Sequence, residues 1–295
     1  MTIIDGKKVA SEIKNELKQK VAAAVSKGLR PPHLTAVLVG NDPASWAYVK
    51  SKESASHKIG FTSSLLHFDE HISEAELLSV VHELNRDTNV DAYIVQLPLP
   101  KHIDEQKVIL AVNPLKDVDG FHPLNLGKML AGLPAFLPAT PYGILELIKR
   151  YQIPTQGKHV LIIGRSLIVG RPLSILLGQK RQGGNATVTV AHSKTQNLKQ
   201  LSLQADIIIT AMGKPLFLKF DMVKNGVVII DAGINSIDAP QTQRGYRLVG
   251  DVDFENVRQK ASYITPVPGG VGPMTIAMLL QNTWKAYTLQ QGLSE

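Results

Sequence analysis

Cysteine is absent from this chain of 295 residues. Its absence excludes disulfides, thiolate zinc sites, iron–sulfur clusters and a cysteine nucleophile, and it suits a protein of the cytoplasm. No apolar run approaches the roughly 18 residues of a membrane span, so the sequence predicts no membrane association. The first residues also lack the basic and apolar regions of a secretory signal. We therefore expect a soluble, cytoplasmic protein.

Basic clusters interleaved with aromatic residues are missing, although the formal net charge is +7. An excess of positive charge first suggests a nucleic acid as partner. Because the basic residues are scattered, the sequence predicts no nucleic-acid binding, and a pocket for a small polyanion such as a dinucleotide fits better. None of the nine histidines has the H-E-x-x-H spacing, and no metal site is predicted.

Strand and helix patterns alternate along the chain, which is typical of an α/β fold with parallel sheets covered on both faces. The length favours two domains, with a junction in the loop-rich residues 113–143. A capping box at Ser73 and Glu76 begins one of the helices. The predicted strands are 34–39, 63–68, 92–96, 159–163, 186–191, 206–211, 227–231 and 262–265. The predicted helices are 9–26, 44–59, 73–84, 103–112, 142–151 and 274–287, with one more after the turn at Gly164.

That turn follows the predicted strand 159–163 and resembles a dinucleotide-binding turn. In such a turn, backbone amides at a helix N-terminus bind the pyrophosphate. The sequence departs from G-x-G-x-x-G, because Ser166 stands at the second glycine and Gly170 comes one residue late. A strand, turn and helix without a ligand are the alternative.

The end of the following strand distinguishes NAD from NADP. Proteins that use NAD usually place an acidic residue there, whereas this chain has His192-Ser193-Lys194-Thr195. Together with Arg165, these groups suit a 2′-phosphate and predict NADP, although a solvated polar loop is the alternative. Gly213 and Gly233 follow the next two strands, where the backbone would approach a flat cofactor closely, and Ile234 is placed to pack against it.

Candidate catalytic residues precede the junction. Tyr48 and Lys52 lie four residues apart on a predicted helix, so one helix face carries both side chains. An aromatic ring beside an ammonium suits a ring-bearing substrate, but a packed Tyr beside a solvated Lys fits the spacing equally. Gln96 ends a strand at the carboxyl edge, where open α/β sheets bind ligands. The acidic turn Lys116–Gly120 fits either a site or an exposed loop.

The segment Pro266–Thr275 is the least ordinary stretch of the chain. Its first eight residues include three prolines and three glycines. Such a composition predicts a fixed backbone with few side chains and with amides available to a ligand. A rigid interdomain linker is the alternative.

These segments resemble one family, the bifunctional methylenetetrahydrofolate dehydrogenase/methenyltetrahydrofolate cyclohydrolases of the bacterial FolD type. The resemblance runs from about Ile3 to Tyr287, and its Val-Gln-Leu-Pro-Leu-Pro and Pro-Gly-Gly-Val-Gly-Pro motifs are highly specific. The matching segments are Tyr48–Lys52, Val95–Pro100, Lys116–Gly120, Gly164–Ser166, Ile168–Gly170, His192–Thr195 and Pro266–Thr275.

The resemblance implies two α/β domains with the active site in the cleft between them. Residues 1–139 with a C-terminal helix 274–295 would form the folate-binding catalytic domain, and residues 140–273 a Rossmann-like NADP-binding domain. It also implies a homodimer through the cofactor domain.

The same resemblance implies two reactions. A hydride passes from 5,10-methylenetetrahydrofolate to NADP⁺, and water then converts the methenyl product into 10-formyltetrahydrofolate. Lys52 would transfer protons, Gln96 would hold Lys52 and position the reacting carbon, Tyr48 would stack on the aminobenzoyl ring, and Asp119 would hydrogen-bond the pterin. The implied folate site comprises Tyr48, Lys52, Val95, Gln96, Leu97, Asp119, Pro268, Gly269, Gly270, Val271, Gly272, Pro273 and Thr275. The implied NADP site comprises Gly164, Arg165, Ser166, Ser193 and Ile234.

Two other functions are compatible with a dinucleotide site. Another two-domain NADP-dependent dehydrogenase would leave Tyr48, Lys52 and Gln96 without a role. A non-catalytic dinucleotide-binding protein would be expected to lack Lys52 or Asp119, and both are present.

Overall fold

The chain divides into two units in the computed structural model, which describes residues 1–241 and 245–293. The three-stranded unit comprises Ser11–Ala139 and the chain from Ile276 onward, and the six-stranded unit comprises Met1–Ala10 and Thr140–Thr275. The sequence-derived bounds placed the first ten residues in the other unit. Their true position follows from a two-residue strand, which is too short to leave a pattern in the sequence. The C-terminal helix, predicted as 274–295, ends at Gln290, and residues 294 and 295 lie outside the described residues.

Eleven strands and ten α-helices occur within the described residues, and all the strands and helices predicted with bounds are confirmed. The strands are β1 (Thr2–Ile3), β2 (His33–Val39), β3 (Thr62–Phe68), β4 (Ala92–Val95), β5 (His159–Ile163), β6 (Thr187–Ala191), β7 (Ile207–Thr210), β8 (Val227–Asp231), β9 (Asn235–Asp238), β10 (Tyr246–Val249) and β11 (Ala261–Ile264). The helices are α1 (Gly6–Ser26), α2 (Pro43–Lys58), α3 (Glu74–Arg86), α4 (Glu105–Ala111), α5 (Pro123–Leu130), α6 (Ala139–Arg150), α7 (Gly170–Gly178), α8 (Leu198–Gln204), α9 (Phe254–Val257) and α10 (Val271–Gln290). In these parts of the chain, no helix is both long enough and apolar enough to cross a membrane.

The sheet of the three-stranded unit is parallel, in the order β3-β2-β4. Its central strand, β2, is buried from Leu34 to Val39. A central parallel strand is covered on both faces, which explains why this segment is continuously apolar instead of alternating.

Helix α3 packs against the three-stranded sheet, and its local sequence sets where it begins. Ser73 Oγ accepts the N–H of Glu76 at 3.2 Å, and the Glu76 carboxylate accepts the N–H of Ser73 at 2.9 Å, so the predicted capping box is confirmed. The inner face then buries Leu77, Val81 and Leu84. Burial of each such side chain stabilises the fold by about 1.5–3 kcal/mol.

Helix α10 is anchored to the three-stranded unit by hydrogen bonds to distant parts of the chain. Asn282 Nδ2 donates to the carbonyls of Val118 and Leu137 at 2.8 and 2.9 Å. The Tyr287 hydroxyl donates to the carbonyl of Arg30 at 2.8 Å. The bond to Val118 fixes the backbone directly before Asp119, one of the predicted site residues.

The sheet of the six-stranded unit is also parallel, in the order β1-β11-β8-β7-β5-β6. Strands β7 and β8 are buried along their whole length. The chain moves outward in opposite directions from β5, first to β6 and then to β7. In open α/β sheets, ligands bind outside the carboxyl ends of the strands at such a switch point.

Residues 113–143, expected to be mainly loop, contain helix α5. His122 provides its N-cap, because the ring Nδ1 accepts the N–H of Leu124 at 3.0 Å just before Pro123. Histidine is not among the preferred capping residues, so residue 122 carried no N-cap signal. Helix α8 and the antiparallel β9–β10 pair were not predicted either.

A buried ion pair joins the loops that precede β2 and β4. The fully buried Asp91 accepts Arg30 Nη1 and Nη2 at 2.7 and 2.8 Å, and the N–H of His33 at 2.7 Å. The hydrogen bonds that Arg30 donates to Asp91 raise the pKa of Arg30. Charge-assisted pairs of this bidentate kind fix orientation as well as adding energy.

Asp91→Asn should lower the free energy of unfolding by about 3 kcal/mol, because it leaves the Arg30 guanidinium without its counter-charge in a partly buried place. Urea unfolding followed by tryptophan fluorescence measures this loss, since both tryptophans, Trp46 and Trp284, lie in the same unit. Lys107→Met is the matched control, because it removes only the exposed pair with Glu74 and should cost less than about 1 kcal/mol. Equal losses in the two variants would contradict this account.

Candidate active site

Helix α2 carries the aromatic and basic residues predicted to share one of its faces. The helix begins after Asp42, whose carboxylate accepts the N–H of Ser45 at 2.8 Å. Val49 is buried, whereas Tyr48 is 48% exposed and Lys52 is half-buried. The Tyr48 ring is therefore accessible to a ligand within one helical turn of Lys52.

The ammonium of Lys52 meets the carboxyl end of β4, where Nζ donates to Gln96 Oε1 at 3.1 Å. Gln96 is itself fixed, because its backbone N–H donates to the Val37 carbonyl at 2.9 Å and its Nε2 donates to the Leu97 carbonyl at 2.6 Å. With its amide nitrogen occupied, Gln96 presents its oxygen to Lys52. The structure thus brings together two predicted catalytic residues that are 44 positions apart in the sequence.

Asp119 is half-buried and interacts electrostatically with the same ammonium. Burial raises the pKa of the Asp119 carboxyl, the charge of Lys52 lowers it, and the Asp117 carboxylate raises it further. The net result is a raised pKa. Two of the predicted folate residues, Val95 and Leu97, line one pocket with Asp119.

The loop that carries Asp119 is held by a neighbouring carboxylate that sequence reasoning missed. Asp117 is buried and accepts the three successive N–H groups of residues 120–122 at 3.1, 3.2 and 2.9 Å. It also accepts Asn125 Nδ2 at 2.8 Å. The motif Lys116–Gly120 marked this turn as acidic, but the spacing does not show which carboxylate points inward.

Two glycines close the predicted dinucleotide turn after β5. Gly164 has a φ of 138°, and a Cβ there would lie 2.2 Å from the carbonyl oxygen of Ala211. A Cβ on Gly170 would lie 2.0 Å from the carbonyl oxygen of Gly164. In the standard motif the third glycine lets the helix pack closely against the strand. Gly170 does this here, although it comes one residue later in the sequence. Among the described residues no side chain caps α7. The N–H of Arg171 donates to the Ser166 carbonyl at 3.1 Å and Pro172 has no N–H, so of the first three helix positions only Gly170 offers a backbone N–H to an anion.

The polar residues around this turn suit a dinucleotide that carries an extra phosphate. Arg165, Ser166 and Ser193 are all exposed. The loop after β6 is shaped by its other residues, since the N–H of His192 donates to Thr195 Oγ1 at 2.8 Å. An exposed guanidinium and two exposed hydroxyls beside the N-terminus of α7 therefore fit the phosphates of NADP.

The segment Pro266–Thr275 lines a pocket of about 130 Å³ in the six-stranded unit. The pocket includes Ile234 and the predicted folate residues Pro268–Pro273. Ile234 Cδ1 lies 3.5 Å from the place that a Gly272 Cβ would take. A predicted NADP residue and the predicted folate segment are therefore neighbours. Thr275 Oγ1 lies at the end of the segment, 3.1 Å from Thr140 Oγ1.

Part of this glycine-rich segment serves internal packing. A Cβ on Gly6 would lie 1.7 Å from the carbonyl oxygen of Gly270, and the N–H of Lys7 donates to the Gly269 carbonyl at 3.1 Å. The first residues of the chain therefore hold the segment in place. Gly6 carries no motif that sequence reasoning could have used.

Two buried carboxylates at the carboxyl edge of the six-stranded sheet were also missed. Asp231 ends β8 and accepts Thr210 Oγ1 and the N–H of Val252, both at 2.9 Å. Burial raises the pKa of Asp231 to about 6, although its hydrogen bonds lower it. Asp251 fills the space beside Gly233, where a Cβ would lie 2.3 Å from the Asp251 carboxyl carbon. Gly233 is thus required by Asp251, and its close approach to a flat cofactor stays a prediction.

The predicted site residues divide between the two units. Tyr48, Lys52, Gln96 and Asp119, with Val95 and Leu97, lie in the three-stranded unit; Gly164, Arg165, Ser166, Ser193, Ile234, Pro268–Pro273 and Thr275 lie in the six-stranded unit. Within residues 1–241 and 245–293, no three His, Asp or Glu side chains group in a way that could hold a metal ion.

Comparisons with known proteins also divide the chain in two, although their bounds assign residues 4–10 and 276–291 to the other part. The catalytic-domain model of tetrahydrofolate dehydrogenase/cyclohydrolase matches residues 4–119, and the NAD(P)-binding-domain model of the same family matches residues 138–291. The chain is 57% identical over 283 residues to the bifunctional protein FolD of Flavobacterium johnsoniae, covering 96% of each chain.

Two solved structures have the same fold over nearly the whole chain. The bifunctional FolD methylenetetrahydrofolate dehydrogenase/cyclohydrolase of Campylobacter jejuni is 48% identical, covers 98% of this chain and 99% of its own, and has a TM-score of 0.91. The Trypanosoma brucei enzyme, solved with NADP cofactor and an inhibitor, is 35% identical with a TM-score of 0.92 and covers 98% of each chain. On these grounds, the chain belongs to the tetrahydrofolate dehydrogenase/cyclohydrolase family.

Proposed function

We propose that this protein oxidises 5,10-methylenetetrahydrofolate with NADP⁺ and then hydrolyses the methenyl product to 10-formyltetrahydrofolate. Family membership supports the pair of reactions, and one contact carries the assignment to residues. That contact is the hydrogen bond between Lys52 Nζ and Gln96 Oε1, which fixes a proton-transfer group at the carboxyl edge of the sheet beside Asp119.

The hydrolysis depends on proton transfer. Water adds to the electrophilic methenyl carbon and loses a proton. The bond from this carbon to N5 then breaks as a proton passes from the hydroxyl group of the adduct to N5, which leaves a formyl group on N10. Lys52 Nζ is the group that moves this proton. Gln96 holds Nζ in one position, and a positioned acid–base group is worth roughly 10²–10⁴-fold in rate.

The remaining residues of the three-stranded unit bind and orient the folate. The exposed ring of Tyr48 stacks on the aminobenzoyl ring. Asp119 hydrogen-bonds the N–H groups of the pterin, and its loop is held rigid by Asp117. Val95 and Leu97 supply the apolar surface beside it.

The six-stranded unit holds NADP. When bound, NADP⁺ accepts the hydride from the methylene carbon. The N–H of Gly170 at the start of α7 binds the pyrophosphate, Arg165 and Ser193 bind the 2′-phosphate, and Ile234 packs on the nicotinamide side. Residues Pro268–Pro273, which are predicted to contact the folate, lie next to Ile234 within this unit. A cytoplasmic location remains a prediction of the sequence.

Lys52→Met should separate the two reactions. It keeps most of the apolar stem but removes Nζ, so the cyclohydrolase rate should fall by roughly 10²–10⁴-fold. Hydride transfer needs no proton acceptor on the protein, and measurable NADPH formation should remain while methenyltetrahydrofolate accumulates. Separate absorbance assays of NADPH and of the methenyl intermediate measure both.

Two further variants sharpen this test. Lys50→Met is the matched control, because Lys50 lies on the same helix over the Trp46 ring and should affect neither rate. Asp119→Asn should weaken folate binding and depress both reactions. Hydrolysis of methenyltetrahydrofolate by Lys52→Met at the parent rate would show that Lys52 is not the proton-transfer group.

The choice of cofactor depends on Arg165. Loss of a charge-assisted hydrogen bond costs roughly 1.5–3 kcal/mol, so Arg165→Ala should raise the KM for NADP⁺ about tenfold or more and change that for NAD⁺ much less. Arg181→Ala is the control, since Arg181 is equally exposed but lies in the loop that precedes β6. Equal use of both nucleotides by the parent protein would refute the NADP preference.

We also propose that two copies associate through the edge strand β6. The sheet order ends at β6, whose five residues carry no charge and whose Val190 is 36% exposed. An uncharged open edge is a ready template for pairing with a second chain. A two-fold axis would place β6 against its own copy, in antiparallel register.

Light scattering at micromolar concentration should therefore give about twice the chain mass of 32.1 kDa. Val190→Lys should shift the protein towards the monomer, because it places a charge on the pairing edge. Leu203→Lys, at a similarly exposed apolar site on α8, should leave the mass unchanged. A monomeric parent protein would overturn this proposal.

A further inference from the structure

The carboxylate of Asp251 accepts several hydrogen bonds from the backbone of another loop. Its carboxylate accepts the successive N–H groups of residues 212–214 at 2.8, 3.2 and 2.8 Å, and it accepts Asn235 Nδ2 at 2.9 Å. The residue is fully buried. A buried carboxylate with four donors is a strong and geometrically specific anchor.

The two segments that Asp251 joins leave the carboxyl ends of neighbouring strands. Residues 211–214 follow β7, and residues 232–235 follow β8. Gly213 has a φ of 66°, and among the described residues no heavy atom lies within 4 Å of the place of its Cβ. Ile234 is 48% exposed. One carboxylate therefore fixes an open turn and an exposed apolar side chain relative to each other.

A second carboxylate locks this arrangement from behind. Asp231 accepts the N–H of Gly233 at 2.9 Å and that of Asp251 at 3.1 Å. A Cβ on Gly250 would lie 1.9 Å from Asp231 Oδ2, just as a Cβ on Gly233 would collide with Asp251. Each carboxylate thus occupies the place of a side chain that a glycine lacks, and the two acids hold each other's loops.

We propose that Asp251 is a positioning residue for the dinucleotide, which sets the turn at Gly213 and the side chain of Ile234 in the geometry that bound NADP requires. This proposal rests on the proposed function, since it assumes that the six-stranded unit binds NADP. Asp251 acts through the backbone and does not touch the ligand. It makes no contribution to the hydrolysis of the methenyl substrate, which consumes no nucleotide.

Asp251→Asn tests this role, because an amide cannot accept hydrogen bonds at both of its terminal atoms. At least one of the four donors then loses its acceptor, and the two segments are no longer held together. We expect the Kd of NADP⁺, measured by titration calorimetry, and the KM for NADP⁺ to rise about tenfold or more. Hydrolysis of supplied methenyltetrahydrofolate should change less than about twofold.

A merely structural role would act differently. General destabilisation would lower the rate of hydrolysis by reducing the folded fraction, and it would leave the Kd and the KM for NADP⁺ of the folded protein unchanged. Asp253→Asn is the matched control, because Asp253 lies two residues away and pairs with the exposed Lys219. It should change neither the Kd nor the KM.

Asn235→Ala provides a second test should Asp251→Asn fail to fold. It removes one donor from the carboxylate at a half-buried place, and it should raise the Kd of NADP⁺ by about threefold with hydrolysis intact. An unchanged Kd in either folded variant overturns the proposal. Failure of the parent protein to bind or reduce NADP⁺ would instead refute the proposed function.

Discussion

The main sheet of each unit is parallel, and one constraint follows from that. Backbone amides that leave the carboxyl edge of a parallel sheet lose their ladder partners, yet the segments there must stay in a fixed shape to bind a ligand. The chain meets this constraint in the same way in both units. Asp117 in one and Asp251 in the other each accept three successive N–H groups and one asparagine side chain. Buried carboxylates thus replace the missing strand partners.

The candidate catalytic pair depends on the same edge. Gln96 can present its oxygen to Lys52 because its own backbone N–H continues the ladder to Val37, and because its amide nitrogen is bound one residue further on. The ammonium is therefore held by a rigid strand end and not by a mobile loop. Rigid placement of this kind is what acid–base catalysis by a single side chain requires.

Much of the fold was readable from the sequence because the central strands are continuously apolar and the turns between them carry glycine. Residues of the candidate site could be predicted where they belong to a recognisable motif, as Lys52 and Gln96 do. What stayed hidden depends on contacts distant in sequence. The role of Gly233 is set by Asp251, and that of Gly6 by Gly270, so neither leaves a local signal. Helix α5 was not predicted because its N-cap residue is a histidine.

The central claim is that one chain carries out both reactions in sequence. The most direct measurement mixes the purified protein with 5,10-methylenetetrahydrofolate and NADP⁺, and follows NADPH and the methenyl intermediate separately by absorbance. The account predicts that NADPH accumulates while the methenyl species is formed and consumed, with 10-formyltetrahydrofolate as the product. NADPH formation that leaves an equal amount of unhydrolysed methenyltetrahydrofolate, or no NADPH at all, would contradict it.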